Sequence, residues 1–143
     1  MKSVVRVTAA IIVHDGNILI AQRPPNDPMA GQWEFPGGKI EPGETPEQCL
    51  KRELCEELEL DAVIGRYLGS SIYHYDHISI ELMAYRASIN GSFHRWDSHR
   101  AYRWVKPNQL AEFSFTPADL PFVQRLVKGQ IDIRPPTVQG GRR

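Results

Sequence analysis

Three glutamates open the chemical question. Glu53, Glu56 and Glu57 stand at i, i+3 and i+4, so a helix through them puts all three carboxylates on one face. Carboxylates this close repel one another by roughly a few tenths of a kcal/mol per pair, even on a solvated helix. A divalent cation removes that repulsion. Hard oxygen ligands select Mg²⁺ or Mn²⁺, and Mg²⁺ binds through a few carboxylates, water and substrate phosphate oxygens. Upstream, Gly37-Gly38 can bring backbone carbonyl or amide groups close to such an ion, because no Cβ intervenes. Taken alone, the three glutamates read more readily as a solvated acidic face. The surrounding segment changes that reading.

That segment is GGKIEPGETPEQCLKRELCEELEL, residues 37–60. It resembles the Nudix box, Gly-x5-Glu-x7-Arg-Glu-U-x-Glu-Glu-x-Gly-U, where U is a bulky aliphatic residue. Gly38, Glu44, Arg52, Glu53, Leu54, Glu56, Glu57 and Leu60 stand at the matching places. One position departs: the second glycine of the box is Glu59 here. It falls where the helix should end in a left-handed residue, so a non-glycine there is expected to cost about 1 kcal/mol. The similarity continues outside the box. WEFPGGKIEPGETPEQ and IIVHDGNILIAQRP resemble the MutT-type branch, which hydrolyses nucleoside triphosphates. FTPADLPFVQRL is similar to the base-pocket helix of that branch, particularly of its cytidine-triphosphate pyrophosphohydrolases. The resemblance spans roughly residues 4–128.

The resemblance implies a Nudix α/β/α sandwich and Mg²⁺-dependent hydrolysis of a nucleoside triphosphate to the monophosphate and pyrophosphate, with Mn²⁺ as a substitute ion. The expected substrates are 8-oxo-dGTP or CTP and modified dCTP, and the expected role is nucleotide-pool sanitation. Glu53, Glu56 and Glu57 would coordinate the metal, with the Gly38 carbonyl as a further ligand. Glu53 would also act as the general base. Arg52 and Glu44 complete the catalytic set, Arg52 by pairing with Glu44 or Glu53 to hold the loop on the helix. Some relatives carry the base on a late loop glutamate. HRWDSHRAYRW has none, and Asp97 is its one carboxylate. Arg23 is expected to contact substrate phosphates, and Lys39 could assist. Asp119 is expected to read the base edge: a carboxylate accepts both N1–H and N2–H of guanine but a single bond from N4 of cytosine. The competing reading of Asp119 is a helix cap. A larger diphosphate, such as an RNA 5′ end or a nucleotide sugar, is the alternative substrate class. A non-catalytic nucleotide sensor is the alternative outside enzymology, and the complete set of box carboxylates speaks against it.

Bulk properties set bounds on these readings. At 143 residues the chain has the length of one domain. Lys+Arg and Asp+Glu both number 17, so no stable nucleic-acid partner is expected. Cys49 and Cys55 are six apart in one helical pattern, which points them in different directions and argues against a disulfide. Reduced thiols and a cytoplasmic location are expected. No apolar run is long enough to span a membrane. His74, His77, His94 and His99 lack ligand spacing and read as surface or loop residues. Oligomeric state is not legible.

The elements that must position the acids can be read from periodicity and punctuation. Residues 4–13 are rich in β-branched residues and read as a strand. His14-Asp15-Gly16-Asn17 is a hairpin signal, with 18–22 as the return strand. Residues 24–32 form a proline loop, 33–35 a short strand and 39–44 a turn-rich loop. Thr45-Pro46-Glu47-Gln48 starts a helix as a capping box with proline at the first helical position. That helix runs to about Leu58, with Leu50, Leu54 and Leu58 as its apolar stripe. Strands follow at 62–72, 78–87 and 101–105, with a helical turn at 107–112. A second helix is expected from Thr116 to about Lys128. Residues 1–129 then form one α+β domain with a mixed sheet between helices, and 130–143 a flexible tail.

Overall fold

The computed structural model of the chain describes residues 3–90 and 101–134. Its elements are β1 (Ser3–His14), β2 (Asn17–Gln22), β3 (Trp33–Glu34), β4 (Gly37–Lys39), α1 (Pro46–Leu58), β5 (Ala62–His74), β6 (Ile78–Ile89), β7 (Tyr102–Val105), a 3-10 turn (Pro107–Glu112) and α2 (Leu120–Val127). The strands lie in the order β3-β2-β1-β6-β5, with β4 paired to β1 and β7 to β2. The sheet is mixed: β1 and β6 run parallel, whereas the other pairs are antiparallel. This is the α+β architecture expected from the sequence.

Strand alternation builds the two core layers. Ala9, Ile11 and Val13 point to one face and meet Phe122, Val123 and Leu126 of α2. Ala10 and Ile12 point to the other and meet Leu50, Leu54 and Leu58 of α1. Both faces of β1 are therefore covered, and this is why its segment reads as a continuous apolar run rather than an alternating one. Each fully buried leucine of the α1 stripe contributes roughly 1.5–3 kcal/mol, which fastens the acid-bearing helix to the sheet. At its start, the Thr45 hydroxyl accepts from the Gln48 amide (3.1 Å), and the Gln48 side chain accepts from the Thr45 amide (2.9 Å). At its end, Glu59 adopts the left-handed conformation (φ 54°). The Leu60 amide then reaches back to the Leu54 carbonyl (3.1 Å). The helix is thus capped as glycine would cap it, at the strain of about 1 kcal/mol that a side chain brings there.

Three expectations change. The first concerns α2, which begins at Leu120 rather than Thr116. A helix reaching back to Thr116 would drive the Pro121 ring into the carbonyl four residues earlier, so Pro121 is tolerated only in the first turn. The second concerns Gly37–Lys39, which is a strand, pairing with Val7–Ala9 of β1. Two glycines carry little strand propensity. The pairing rests instead on close approach, because a Cβ on Gly37 would lie 2.0 Å from the Thr8 carbonyl oxygen. The third concerns the chain after α2, which does not leave the body at Gln130. Ile131 is buried in the α2-side core, and Arg86 donates to the carbonyls of Asp132 and Ile133. Residues 135–143 of the expected tail lie outside the described residues.

Candidate active site

α1 presents Glu53 toward the sheet, and the backbone of β4 receives it. A Cβ on Gly38 would stand 2.3 Å from the Glu53 carboxyl carbon. The missing side chain of Gly38 is therefore the space that the Glu53 carboxylate occupies. Only 23% of the Glu53 side chain is exposed, against 63% for Glu56. Burial raises the Glu53 carboxyl above its ordinary pKa; the charges of Glu57 and Glu56 act the same way, and Arg52 opposes them.

Arg52 organises the acids. Its Nε and Nη2 donate to the two oxygens of Glu44 (2.5 and 2.9 Å). Its Nη1 donates to Glu53 and to Glu56, both at 3.2 Å. The Arg52 guanidinium, with help from the Glu41 amide, lowers the Glu44 carboxyl to about 2. The paired planar geometry is the fork that arginine offers a carboxylate. Glu44 also accepts from the Glu41 amide (3.0 Å), so Arg52 and Glu44 together tie the 39–44 loop to α1. Arg52 thus has the two carboxylate partners, Glu44 and Glu53, that the sequence offered it. Glu57, on the same face, accepts a hydrogen bond from the Tyr102 hydroxyl (3.0 Å). Nothing in the spacing of Tyr102 marked it: it stands in a short alternating strand, where a tyrosine is ordinarily read as core.

Among the described residues, no three acidic, histidine or cysteine side chains already converge on one point as metal ligands. The donor set nonetheless suits a hard divalent ion: carboxylates on one helix face, with a glycine backbone against the buried carboxylate of Glu53. The two cysteines are free thiols, Cys49 buried and Cys55 exposed. Cys49 donates to the Lys39 carbonyl (3.4 Å), a packing role under the loop. His74 and His77 are exposed, and the His74 ring meets the Ser79 hydroxyl (2.6 Å).

A cleft of about 310 Å³ is lined both by this glycine pair and by residues just before α2. Thr8, Gly37 and Gly38 line it, as do Ala118 and Asp119. Phe35, Tyr75, Ile80 and Leu82 supply apolar walls, and Arg23 and Glu34 a charged one. Arg23 lines the cleft. Its Nη1 donates to Glu34 (2.9 Å) and its Nη2 to Asp27. These two acids, Asp27 foremost, raise the Arg23 pKa well above its ordinary value. Lys39 does not line the cleft. It is exposed and borders a separate shallow groove with Arg6 and Glu41. Asp97, His94 and His99 lie outside the described residues.

Asp119 is 5% exposed. It stands at the N-cap position of α2, yet its side chain makes no capping bond. Its carboxylate accepts instead from the Phe35 amide (3.2 Å) and from the Thr116 hydroxyl. Burial raises its pKa to about 7, with the neighbouring Glu34 charge acting the same way. Aspartate in an unfolded chain titrates near 3.9, so below about pH 4 both states carry the proton. Between about pH 4 and pH 7 the unfolded chain releases it while the folded chain keeps it. This group's contribution to stability is thus complete below pH 4, falls across that window and levels off above pH 7. Asp119→Asn preserves the Phe35 and Thr116 contacts without the charge. It is expected to be more stable than wild type at pH 8, by up to about 4 kcal/mol, with the difference closing toward pH 4. Urea unfolding at both pH values measures this, and a gap that does not change with pH would contradict it.

A helix-borne carboxylate cluster stands against a glycine strand, and the cleft that this strand lines also holds a buried acid. The NUDIX domain profile matches residues 4–126, and the chain belongs to that family as a Nudix hydrolase. It is 40% identical over 123 residues to the CTP pyrophosphohydrolase of Escherichia coli, covering 84% of this chain and 89% of that one. It is 34% identical over 129 residues to the 8-oxo-dGTP diphosphatase of Haemophilus influenzae, covering 88% and 93%. The solution structure of the MutT protein from methicillin-resistant Staphylococcus aureus superposes with a TM-score of 0.74 at 34% identity, covering 90% of this chain and 99% of that one. No helix among the described residues is long and apolar enough to cross a membrane.

Proposed function

We propose that this Nudix hydrolase splits a nucleoside triphosphate into the monophosphate and pyrophosphate with Mg²⁺, as a nucleotide-pool sanitation enzyme. One observation carries the reading: a single cleft joins Gly38, against which the Glu53 carboxylate rests, to the buried carboxyl of Asp119. Its volume falls at the lower end of small-ligand sites. A base held at Asp119 would share this cleft with phosphates held at Gly37 and Gly38. Glu53, Glu56, Glu57 and the Gly38 carbonyl would hold the metal, which supplies charge neutralisation on phosphate oxygens when bound. Glu53 takes the proton of the attacking water, for which its raised pKa suits it. Arg52 and Glu44 hold the loop and Glu53 in place. Arg23 meets a phosphate by exchanging Asp27 or Glu34 for it. Lys39 acts from outside the cleft, on phosphate oxygens that project past β4.

Asp119 reads the base. Ionised, it accepts two donors from the guanine edge; protonated, it donates to N3 and accepts from N4 of cytosine. A pKa of about 7 gives it both forms near neutrality, which accommodates substrates of the two relatives' kinds. The test is a nucleotide screen with product identification, run with Mg²⁺ and with excess EDTA. Turnover is expected only with metal, and with pyrophosphate as product. Asp119→Ala should lose about 5- to 150-fold in kcat/KM on the preferred nucleotide, from the base donors or acceptors left unpaired, and much less on dTTP. Full turnover in EDTA, or an equal loss on 8-oxo-dGTP, dGTP, CTP and dTTP, would overturn the corresponding part of the reading.

A further inference from the structure

We infer that Tyr102 is a positioning residue that sets the orientation of Glu57 for metal binding, so that β7 as well as α1 determines the cation affinity of the site. This rests on the proposal that Glu57 is a ligand. The Tyr102 hydroxyl donates to Glu57 Oε1 at 3.0 Å, across a separation of 45 residues. Its donor is held from behind. Tyr102 pairs with Ala21 of β2, and its ring packs against the cluster containing Leu50, Leu54 and Leu58 of α1. The phenol is therefore fixed to the same apolar stripe that fixes the helix, and its hydroxyl meets the acid face at one place.

Hydrogen bonds to Glu53, Glu56 and Glu57 come from donors of different kinds. Arg52, a cation, engages Glu53 and Glu56 through one nitrogen, Nη1, whereas the donor from Tyr102 to Glu57 is a neutral hydroxyl. A glutamate side chain has three rotatable bonds and loses rotamer freedom when it is ordered as a ligand. A hydrogen bond to one carboxylate oxygen removes part of that freedom in advance. A phenol does so without adding a positive charge that would compete with the ion. Partners that orient a ligand in this way commonly contribute about 10- to 100-fold in metal affinity.

The experiment is direct Mn²⁺ binding to the full chain, by calorimetry or by paramagnetic resonance of the free ion, for wild type, Tyr102→Phe, Glu57→Gln and the double variant. Melting temperatures serve as the folding control. Tyr102→Phe keeps the ring in the core and deletes only the hydroxyl. Its Mn²⁺ affinity should fall about 10-fold, with the melting temperature near that of wild type. Because the hydroxyl acts through Glu57, the double variant should bind no more weakly than Glu57→Gln alone. In turnover assays, the Tyr102→Phe defect should appear as a raised metal requirement, with kcat restored at saturating Mn²⁺. Two results overturn the inference, for distinguishable reasons. If Glu57→Gln weakens Mn²⁺ binding but Tyr102→Phe binds like wild type, Tyr102 does not position the ligand. If Glu57→Gln itself binds like wild type, Glu57 is not a ligand, and the assignment of Tyr102 falls with that reading.

Discussion

Replacement of Glu53 by glutamine should lower kcat by at least ~10²-fold, the range for loss of a general base, with little change in folding stability. The reasoning starts from the environment. Glu53 is far less exposed than Glu56, and its carboxylate rests on the Gly38 backbone. Burial and the two neighbouring carboxylates hold its proton more tightly than an ordinary glutamate does. A carboxyl so placed is a stronger base, and its ionised form gains most from a cation. Glutamine keeps the shape and can still accept from Arg52, but it takes no proton and binds a divalent ion poorly. The fold should persist because Glu53 lies off the Leu50, Leu54 and Leu58 stripe. Removing one charge from the cluster also relieves repulsion with Glu56 and Glu57. The measurement is kcat under saturating Mg²⁺ together with the melting temperature. A variant keeping more than half of wild-type kcat would remove Glu53 from the mechanism. One that unfolds would show that the residue is structural instead.

Gly38→Ala should be nearly as damaging to turnover, by about 10²-fold in kcat/KM, and this follows from geometry alone. The new Cβ would fall 2.3 Å from the Glu53 carboxyl carbon and 2.4 Å from one carboxylate oxygen. Relief to ordinary contact requires the carboxylate to retreat by about 1 Å, and a displacement of that size is enough to cost about 10²-fold in a positioned reaction. The obstacle is the far end of a flexible side chain, so the fold can yield without unfolding. Gly37→Ala provides the contrast. Its Cβ would meet the Thr8 carbonyl oxygen at 2.0 Å, and backbone in a sheet cannot step aside. That variant should lose stability and soluble yield, with β4 forced away from β1. Parallel thermal unfolding and steady-state assays separate the two. A Gly38→Ala enzyme within about threefold of wild type would mean that the position of Glu53 against the strand is not what the site requires, because a 1 Å misplacement there would then carry no such penalty.

Local chemistry makes much of this protein legible in its sequence. The capping box at Thr45 and Gln48, the Asp15-Gly16 turn, the leucine stripe and the three acids on one face depend on interactions within a few residues. Such interactions survive in any context that lets the helix or hairpin form. The left-handed residue at Glu59 belongs with them, since the end of α1 demands it whatever side chain is present. Tertiary structure decided the rest. Pro121 fits a helical pattern in the sequence, but its clash with an earlier carbonyl sets where α2 begins. Gly37 and Gly38 carry no strand signal, because their reason for being glycine lies in Thr8 and Glu53, far away in the chain. Arg23 is expected from the sequence to contact phosphates, and the fold gives it two acid partners, Asp27 and Glu34, that the sequence does not announce. Asp119 offers two readings in the sequence, a base reader and a helix cap; the fold gives its side chain no capping bond, and burial beside Phe35 and Thr116 raises its pKa to about 7. Tyr102 acquires its bond to Glu57 only when β7 packs beside α1. Each of these properties depends on which atoms approach from distant segments and on how much water they displace, and a one-dimensional pattern carries neither quantity.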